Sequence, residues 1–137
     1  MKQKVKKRIG IALVGVVFVG LVIGGWHGLN TLRYWGIINR IELSTPDFSQ
    51  LEDGVFEGSF DAILVAAEVT VTVENQEITD IVINEHHHGR DTATQAERII
   101  DDVISTQSLE VDGVSGATNS SLVILSAVYD ALTPSTN

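Results

Sequence analysis

The stretch that decides the fold spans residues 69–83 and reads VTVTV, then ENQE, then ITDIVI. Its first five residues alternate valine with threonine, which is the pattern of a β-strand with one buried face. Residues 74–77 are polar and predict a turn, and residues 78–83 predict the returning strand. The sequence therefore predicts a β-hairpin in the middle of the chain.

Other elements extend this hairpin in both directions. Asp53-Gly54 opens a further predicted strand at residues 55–60. After the hairpin, residues 92–105 take the apolar period of a helix, a loop follows at residues 107–115, and a last helix is predicted at residues 119–132. The predicted inward-facing residues are Ala93, Ala96, Ile99, Ile100, Val103 and Ile104 in the first helix, and Leu122, Leu125, Val128, Tyr129 and Leu132 in the second. The pattern predicts a small α+β domain with an antiparallel sheet and two helices.

The N-terminal region has the composition of a membrane anchor. Residues 9–26 are almost all apolar, and five basic residues precede them within residues 1–8. About 20 such residues suffice to cross a bilayer as a helix. Trp26, Tyr34 and Trp35 follow, as expected for rings at a membrane interface. We therefore predict a single transmembrane helix over residues 9–29.

An uncleaved anchor has two alternatives. A cleaved signal peptide would need a small-x-small cleavage site, and residues 24–27 (GGWH) fit that pattern poorly. A buried core helix does not account for a long uninterrupted apolar run with a basic flank. The uncleaved anchor is the interpretation that we favour.

Formal charges divide the chain into two unequal parts. Residues 1–40 hold seven basic side chains and no acidic one, whereas residues 41–137 hold two basic and all 18 acidic side chains. The first part carries +7 and the second −16, which gives the net charge of −9. So acidic a segment repels phosphate backbones, and we expect no nucleic-acid partner. The positive-inside rule predicts a single-pass protein of the cell membrane whose acidic domain lies outside the cytoplasm.

Cysteine usage removes several classes of protein. The 137 residues include no cysteine. A disulfide scaffold, a cysteine-ligated zinc site, an iron–sulfur cluster, a thiol nucleophile and a cysteine-anchored lipoprotein are therefore excluded.

The stretch most informative about function is VDGVSGATNSS at residues 111–121. It leads into the predicted last helix, whose first amides lack partners within the helix and carry partial positive charge. Gly116 and Ala117 have no bulk that would block an approaching group. Four hydroxyl side chains belong to the stretch: Ser115, Thr118, Ser120 and Ser121. Such a place suits a phosphate, although a serine or threonine that merely caps the helix is the alternative.

This stretch contains the pattern D-x-x-S-G-A-T from Asp112 to Thr118. The pattern resembles the flavinylation motif of the FMN-binding domain family. That family includes the flavin-carrying subunits of the sodium-translocating NADH:quinone reductase and of the related Rnf complexes, and many small membrane-anchored redox proteins. The likeness also includes DGVFEG at residues 53–58 and the hairpin at residues 68–83, and it covers residues 51–132 in all.

The resemblance implies a covalent FMN cofactor, bound through a phosphoester to the last threonine of the motif. Thr118 would be the attachment residue, and Asp112, Ser115, Gly116 and Ala117 would form the recognition and phosphate-binding loop. In the family a flavin transferase outside the cytoplasm makes this bond, with FAD as the donor. The chain is then expected to be an electron carrier or redox subunit instead of a stand-alone enzyme, with redox proteins or quinone as partners.

On this interpretation the chain has five segments. They are a basic cytoplasmic N-terminus at 1–8, the transmembrane helix at 9–29, a linker at 30–50, the FMN-binding domain at 51–132 and a tail at 133–137.

Two other functions remain open at this point. One is a binding or sensory module that holds FMN or another phosphorylated ligand without a covalent bond. The other is a structural membrane-anchored domain that responds to a metal through His86, His87 and His88, because His86 and His88 would share one face of a strand. No second cluster at metal-binding spacing is apparent in the sequence, so we predict no metal site.

Overall fold

The computed structural model describes residues 2–87 and 91–133. The chain divides into two compact units, Met1–Arg33 and Tyr34–Asn137. Within the described residues, one helical segment is long and apolar enough to cross a bilayer, namely Leu13–Ile38. Its mean hydropathy is 1.7, and no part of its most apolar 18-residue window is buried.

Helix α1 (Lys2–Ile38) continues well past the predicted span. The first part of the segment predicted as a linker is therefore helical, and only Asn39 and Arg40 form the turn that ends the helix. Residues 30–38 contain no proline and a single glycine, so nothing interrupts the hydrogen bonds between successive turns. Tyr34 and Ile38 also bury their side chains in the core of the second unit, which stabilises this last part of the helix.

The second unit contains a three-stranded antiparallel sheet. Its strands are β1 (Gly54–Asp61), β2 (Ala66–Glu74) and β3 (Glu77–His87), and they lie in the order β1-β2-β3. The predicted hairpin is therefore confirmed, and the predicted first strand is its neighbour in the same sheet.

Alternation along β2 explains why the sheet has one covered face. Val69, Val71 and Val73 are buried, whereas Thr70 and Thr72 between them are half-buried. The turn to β3 has two central residues, and both have positive φ, 55° at Asn75 and 66° at Gln76. Two-residue turns with that conformation match the twist of antiparallel strands, so the turn sets the hairpin register.

Two helices complete the α+β fold, α2 (Ile99–Thr106) and α3 (Thr118–Leu132). The prediction of one continuous helix over residues 92–105 was wrong in its first half, because Asp91–Arg98 forms a 3₁₀-helix. Ala96 in the 3₁₀-helix and Ile99 at the start of α2 are both fully buried, so the chain packs against the core on both sides of this change of helix type. The last helix lies where it was predicted and begins one residue earlier.

Helix α3 packs against the covered face of β1 and β2. The helix lies close to the strand at Gly58, where a Cβ atom would lie 2.3 Å from both the carbonyl oxygen of Ala127 and the amide nitrogen of Ala131. Beside it, the backbone amide of Ser59 donates to Asp130 Oδ2 at 3.0 Å. These contacts fix α3 on the sheet and thereby set the position of its N-terminus.

Candidate functional site

The loop between α2 and α3 is held to the sheet by the side chain of Gln107. This residue ends α2 in the left-handed conformation, with φ of 51°. Its Oε1 accepts a hydrogen bond from the amide of Ile78 at 2.8 Å, and its Nε2 donates to the carbonyl of Ile78 at 2.9 Å and to that of Ile104 at 2.7 Å. One side chain thus joins β3, the end of α2 and the start of the loop.

The segment that follows α1 provides a second attachment for the loop. Thr45 Oγ1 lies 2.9 Å from Ser108 Oγ and accepts a hydrogen bond from the amide of Leu109 at 3.1 Å. Leu109 itself is fully buried. The first half of the loop is therefore anchored by hydrogen bonds on one side and by an apolar side chain on the other.

The second half of the loop makes a tight turn before α3. The amide of Ala117 donates to the carbonyl of Val114 at 2.9 Å, and Gly116 inside this turn has φ of 82°. Glycine adopts this left-handed conformation without the steric cost that a side chain adds. The turn directs the chain into α3, with Thr118 as its first residue.

Helix α3 begins without a side-chain cap. The residue at the cap position is Ala117, and it makes no side-chain hydrogen bond there. The first bond of the helix joins the amide of Ser121 to the carbonyl of Ala117 at 2.9 Å, so the amides of residues 118–120 have no acceptor within the helix. The alternative that a serine or threonine caps this helix is therefore wrong, because alanine occupies the position.

Thr118 is exposed at this uncapped helix start. The backbone of Gly113 lies behind it, since a Cβ atom on Gly113 would be 3.2 Å from Thr118 Cγ2. The partial positive charge of a helix N-terminus and its free amides favour an anion beside this hydroxyl. An exposed hydroxyl and backbone amides without an acceptor in the helix thus lie side by side at the start of α3.

The other predicted site residues lie on the same loop. Asp112, Ser115 and Gly116 are exposed, and Ala117 is buried. Within residues 2–87 and 91–133, no side chain or backbone amide donates a hydrogen bond to the Asp112 carboxylate, so it is available to a ligand or to another protein.

Ser121 has a different role from the one expected. Its hydroxyl was predicted to be one of those offered to a phosphate, but its side chain is fully buried. Its Oγ accepts from the amide of Val114 at 3.0 Å and donates to the carbonyl of Ala117 at 3.1 Å. Ser121 therefore holds the two ends of the turn together from the buried side, and its hydroxyl does not face solvent.

Two of the three consecutive histidines, His86 and His87, lie in the described part of the chain. His86 lies on β3, and its Nδ1 is 3.2 Å from Glu97 Oε1, which joins the strand to the 3₁₀-helix. His87 is exposed, and His88 lies outside the described residues. No group of three or more possible metal ligands occurs among the residues that the structure describes.

Two residues that build the site, Gln107 and Thr45, were not predicted from the sequence. Both act through hydrogen bonds to partners distant in sequence, 29 residues away for Gln107 and Ile78, and 63 for Thr45 and Ser108. The only local signal was the position of Gln107 directly after an apolar helical repeat, where a helix C-terminus is expected.

The loop lies within a segment that matches a known protein family. Residues 65–133 match the FMN-binding domain family, which is just over half of the chain. The matched segment begins just before β2 and includes β3, both helices of the domain and the whole Asp112–Thr118 loop, whereas β1 precedes it. The chain therefore belongs to the FMN-binding domain family, and it carries a candidate membrane helix before the domain. A search among curated proteins gave no match.

The residues at the loop fit the phosphate end of FMN. An uncapped helix start supplies free amides, and Gly116 leaves open space above the turn, because a Cβ atom there would meet nothing within 4 Å. A phosphate needs both conditions, donors that are not already used and room to approach them.

Proposed function

We propose that the protein is a membrane-anchored electron-transfer flavoprotein of the extracytoplasmic face, with FMN bound covalently to Thr118. The observation that carries the proposal is the exposed Thr118 hydroxyl at the uncapped start of α3. A buried threonine would be out of reach of a modifying enzyme. A side-chain cap at the helix start would occupy an amide that the phosphate needs.

The proposed attachment is a transfer of the FMN part of FAD by a separate flavin transferase. Thr118 Oγ1 forms the new ester bond to the phosphorus of the FMN part, the bond between the two phosphates of FAD breaks, and AMP leaves. The hydroxyl proton passes to a base of the transferase. In the product, the free amides of residues 118–120 are placed to donate to the remaining phosphate oxygens.

The remaining residues of the motif support that ester. Ser115 and Gly116 form the turn beside the hydroxyl, Ala117 leaves the helix start uncapped, and Asp112 offers a carboxylate on the same loop for the transferase to recognise. FMN supplies the ability to exchange one or two electrons, and the protein supplies attachment and position. Redox proteins or membrane quinone are the partners that we propose for this exchange.

Anchoring gives the proposal its cellular context. The five basic residues ahead of the apolar segment favour an N-terminus in the cytoplasm, and this supports an acidic domain on the outer side of the membrane. A covalent bond prevents loss of the cofactor there, and the anchor raises the effective concentration of partners in the same membrane.

The test uses the full chain, produced with a flavin transferase in the same host. After denaturation and gel electrophoresis, we expect flavin fluorescence on the protein band and an FMN-sized mass increase on the peptide that contains Thr118. Thr118→Ala should abolish both signals, Thr118→Ser should keep attachment, and Thr79→Ala, on an exposed threonine of β3, should leave it unchanged.

Three results would contradict specific parts of the proposal. Flavin that is released on denaturation supports non-covalent binding instead, and an attached flavin in Thr118→Ala places the bond elsewhere. The location is tested separately with Glu74→Cys, because the natural chain has no cysteine and Glu74 is exposed. A membrane-impermeant maleimide should label this variant in intact cells, and labelling only after lysis would place the domain inside.

Electron transfer is tested on native membranes that contain the flavin-loaded protein. A respiratory substrate should bleach the visible absorbance of the bound flavin, and an added quinone should restore it. A flavin that stays oxidised under these conditions would contradict the role as an electron carrier while leaving the attachment intact.

A further inference from the structure

A groove of about 470 Å³ lies within the second unit, away from the loop that leads into α3. Its apolar wall is formed by the residues Ile37, Ile41, Leu43 and Phe60. Its polar lining residues are Arg40, Glu42, Ser126, Tyr129 and Asp130. Tyr129 lies eleven residues after Thr118 in α3, which corresponds to about 16 Å along the helix axis. The groove is therefore separate from the proposed flavin attachment.

The last residues of the candidate membrane span contribute to this groove. Gly36 and Ile37 belong to the segment Leu13–Ile38 and also line the groove. Trp35, the preceding residue, is 48% exposed and lies edge-on to Tyr34, with ring centroids 5.5 Å apart. An exposed tryptophan at the end of an apolar helix is typical of the membrane–water interface.

The turn between β1 and β2 adds two exposed apolar side chains near the groove. Ile63 is 40% exposed and Leu64 is 41% exposed. Ile63 follows Phe60 by three residues, so its Cα lies within about 10 Å of that groove residue. We call Ile37, Ile41, Leu43, Phe60, Ile63 and Leu64 together the apolar end of the domain.

The turn that exposes these two side chains has a strained backbone conformation at Ile63. Ile63 has φ of 72°, which is rare for a β-branched residue. Its amide donates to Asp61 Oδ1 at 2.6 Å, and the amide of Ala62 donates to the carbonyl of Val65 at 2.9 Å. A glycine or asparagine would suit this backbone better, so the isoleucine indicates that an apolar side chain is useful at this place.

We propose that the apolar end is a lipid-contacting surface that lies in the interfacial region of the bilayer, with Ile63 and Leu64 inserted among the lipids. The inference rests on the membrane anchor of the proposed function, but not on the flavin. The chain itself brings this surface to the membrane, because the candidate span ends at Ile38, next to Ile37 in the wall of the groove.

The charged side chains that line the groove are mixed in sign, one basic and two acidic. Residues 41–137 carry −16, which an anionic membrane repels, whereas Arg40 at the groove is available to lipid phosphate. Glu42 and Asp130 in the same lining suit the ammonium group of a zwitterionic lipid. The mixture of apolar and charged side chains is that of an interfacial zone and not of the hydrocarbon core.

The experiment uses the full chain in vesicles of phosphatidylethanolamine and phosphatidylglycerol. Single cysteines are introduced as Leu64→Cys, Ile63→Cys or the control Glu74→Cys and labelled with an environment-sensitive fluorophore. Glu74 is exposed at the far end of β2, about 26 Å from the turn at residues 62–65. All three positions are exposed, and the natural chain has no cysteine to compete for the label.

We expect labels at positions 63 and 64 to emit at shorter wavelength than the label at 74. Nitroxide lipids should quench them more strongly than the control label, and aqueous iodide should quench them less. Equal quenching at all three positions in vesicle-bound protein overturns the inference and leaves the anchor intact. Protein that does not float with the vesicles overturns the anchor and the inference together.

Discussion

The hydroxyl of Ser121 accepts a hydrogen bond from the amide of Val114 at 3.0 Å, across the turn that leads into α3. The same oxygen donates to the carbonyl of Ala117 at 3.1 Å. Two backbone groups on opposite sides of Ser115-Gly116 are thus connected through one buried side chain. The shape of the turn that precedes Thr118 depends on this residue, which itself has no access to solvent.

Replacing Ser121 with alanine should therefore damage both stability and flavin attachment. The substitution leaves the partly buried amide of Val114 without its acceptor, which costs about 1–3 kcal/mol of unfolding free energy. Urea unfolding of the detergent-solubilised protein measures the first effect, and flavin fluorescence per protein measures the second. Ser120→Ala is the matched control, because Ser120 is also buried but no described residue bonds to its hydroxyl. Equal stability of both variants would contradict this role of Ser121.

The sequence predicted the elements that depend on local periodicity. The alternation of Val69, Val71 and Val73 with threonine was sufficient for β2, and the apolar repeat after residue 118 was sufficient for α3. The small residues of the loop also predict an anion site from their types and order, and this site stays a prediction. Each of these signals lies within a few residues of the feature that it predicts.

Features that depend on contacts between distant segments were not predicted. The sequence does not indicate that Thr45 accepts from the amide of Leu109, or that the serine at 121 faces inward while Thr118 faces outward. The 3₁₀-helix before α2 was missed for a similar reason, since helical and 3₁₀ spacing share the i,i+3 positions and packing decides between them.

Gly58 should tolerate no side chain, because α3 lies directly against it. In Gly58→Ala the new methyl group would be 2.3 Å from backbone atoms of Ala127 and Ala131, so either the helix or the strand must move. We expect a loss of about 3 kcal/mol or more in unfolding free energy. Gly54→Ala on the same strand is the control, since the atoms nearest to its methyl group belong to the side chain of Phe56, the first at 3.3 Å. Thermal unfolding of both variants tests this prediction. Similar midpoints would show that α3 moves away from the strand without a loss of stability.

Residues without an amide side chain should not replace Gln107 without a loss of stability. Gln107→Ala leaves both the amide and the carbonyl of Ile78 without the partner that the side chain provides, and we expect a loss of about 2 kcal/mol or more. Gln107→Glu keeps the acceptor but brings a carboxylate towards the carbonyls of Ile78 and Ile104, so it should not rescue stability. Gln95→Ala is the control, because it removes the side chain of an exposed glutamine in the 3₁₀-helix. The urea midpoint of Gln95→Ala should be higher than the midpoints of both Gln107 variants. A wild-type midpoint for Gln107→Glu would contradict the role of Gln107 Nε2 as a hydrogen-bond donor.

The conformation of Gly116 separates the backbone requirement of the turn from its recognition by a transferase. Gly116 has φ of 82°, and a Cβ atom there would meet nothing within 4 Å, so we expect the cost of a substitution to come mainly from the backbone. Gly116→Val should lose about 1–2 kcal/mol of unfolding free energy, whereas Gly116→Asn should lose less, because asparagine tolerates the left-handed region. Thermal unfolding gives this ranking without any flavin present.

Flavin content is then measured for the same pair in cells that make the transferase. If the backbone shape is what the transferase needs, the Gly116→Asn variant should retain more flavin than the Gly116→Val variant. Equal loss of flavin in both, with the stability ranking preserved, would show that the transferase reads the absence of a side chain and not the turn.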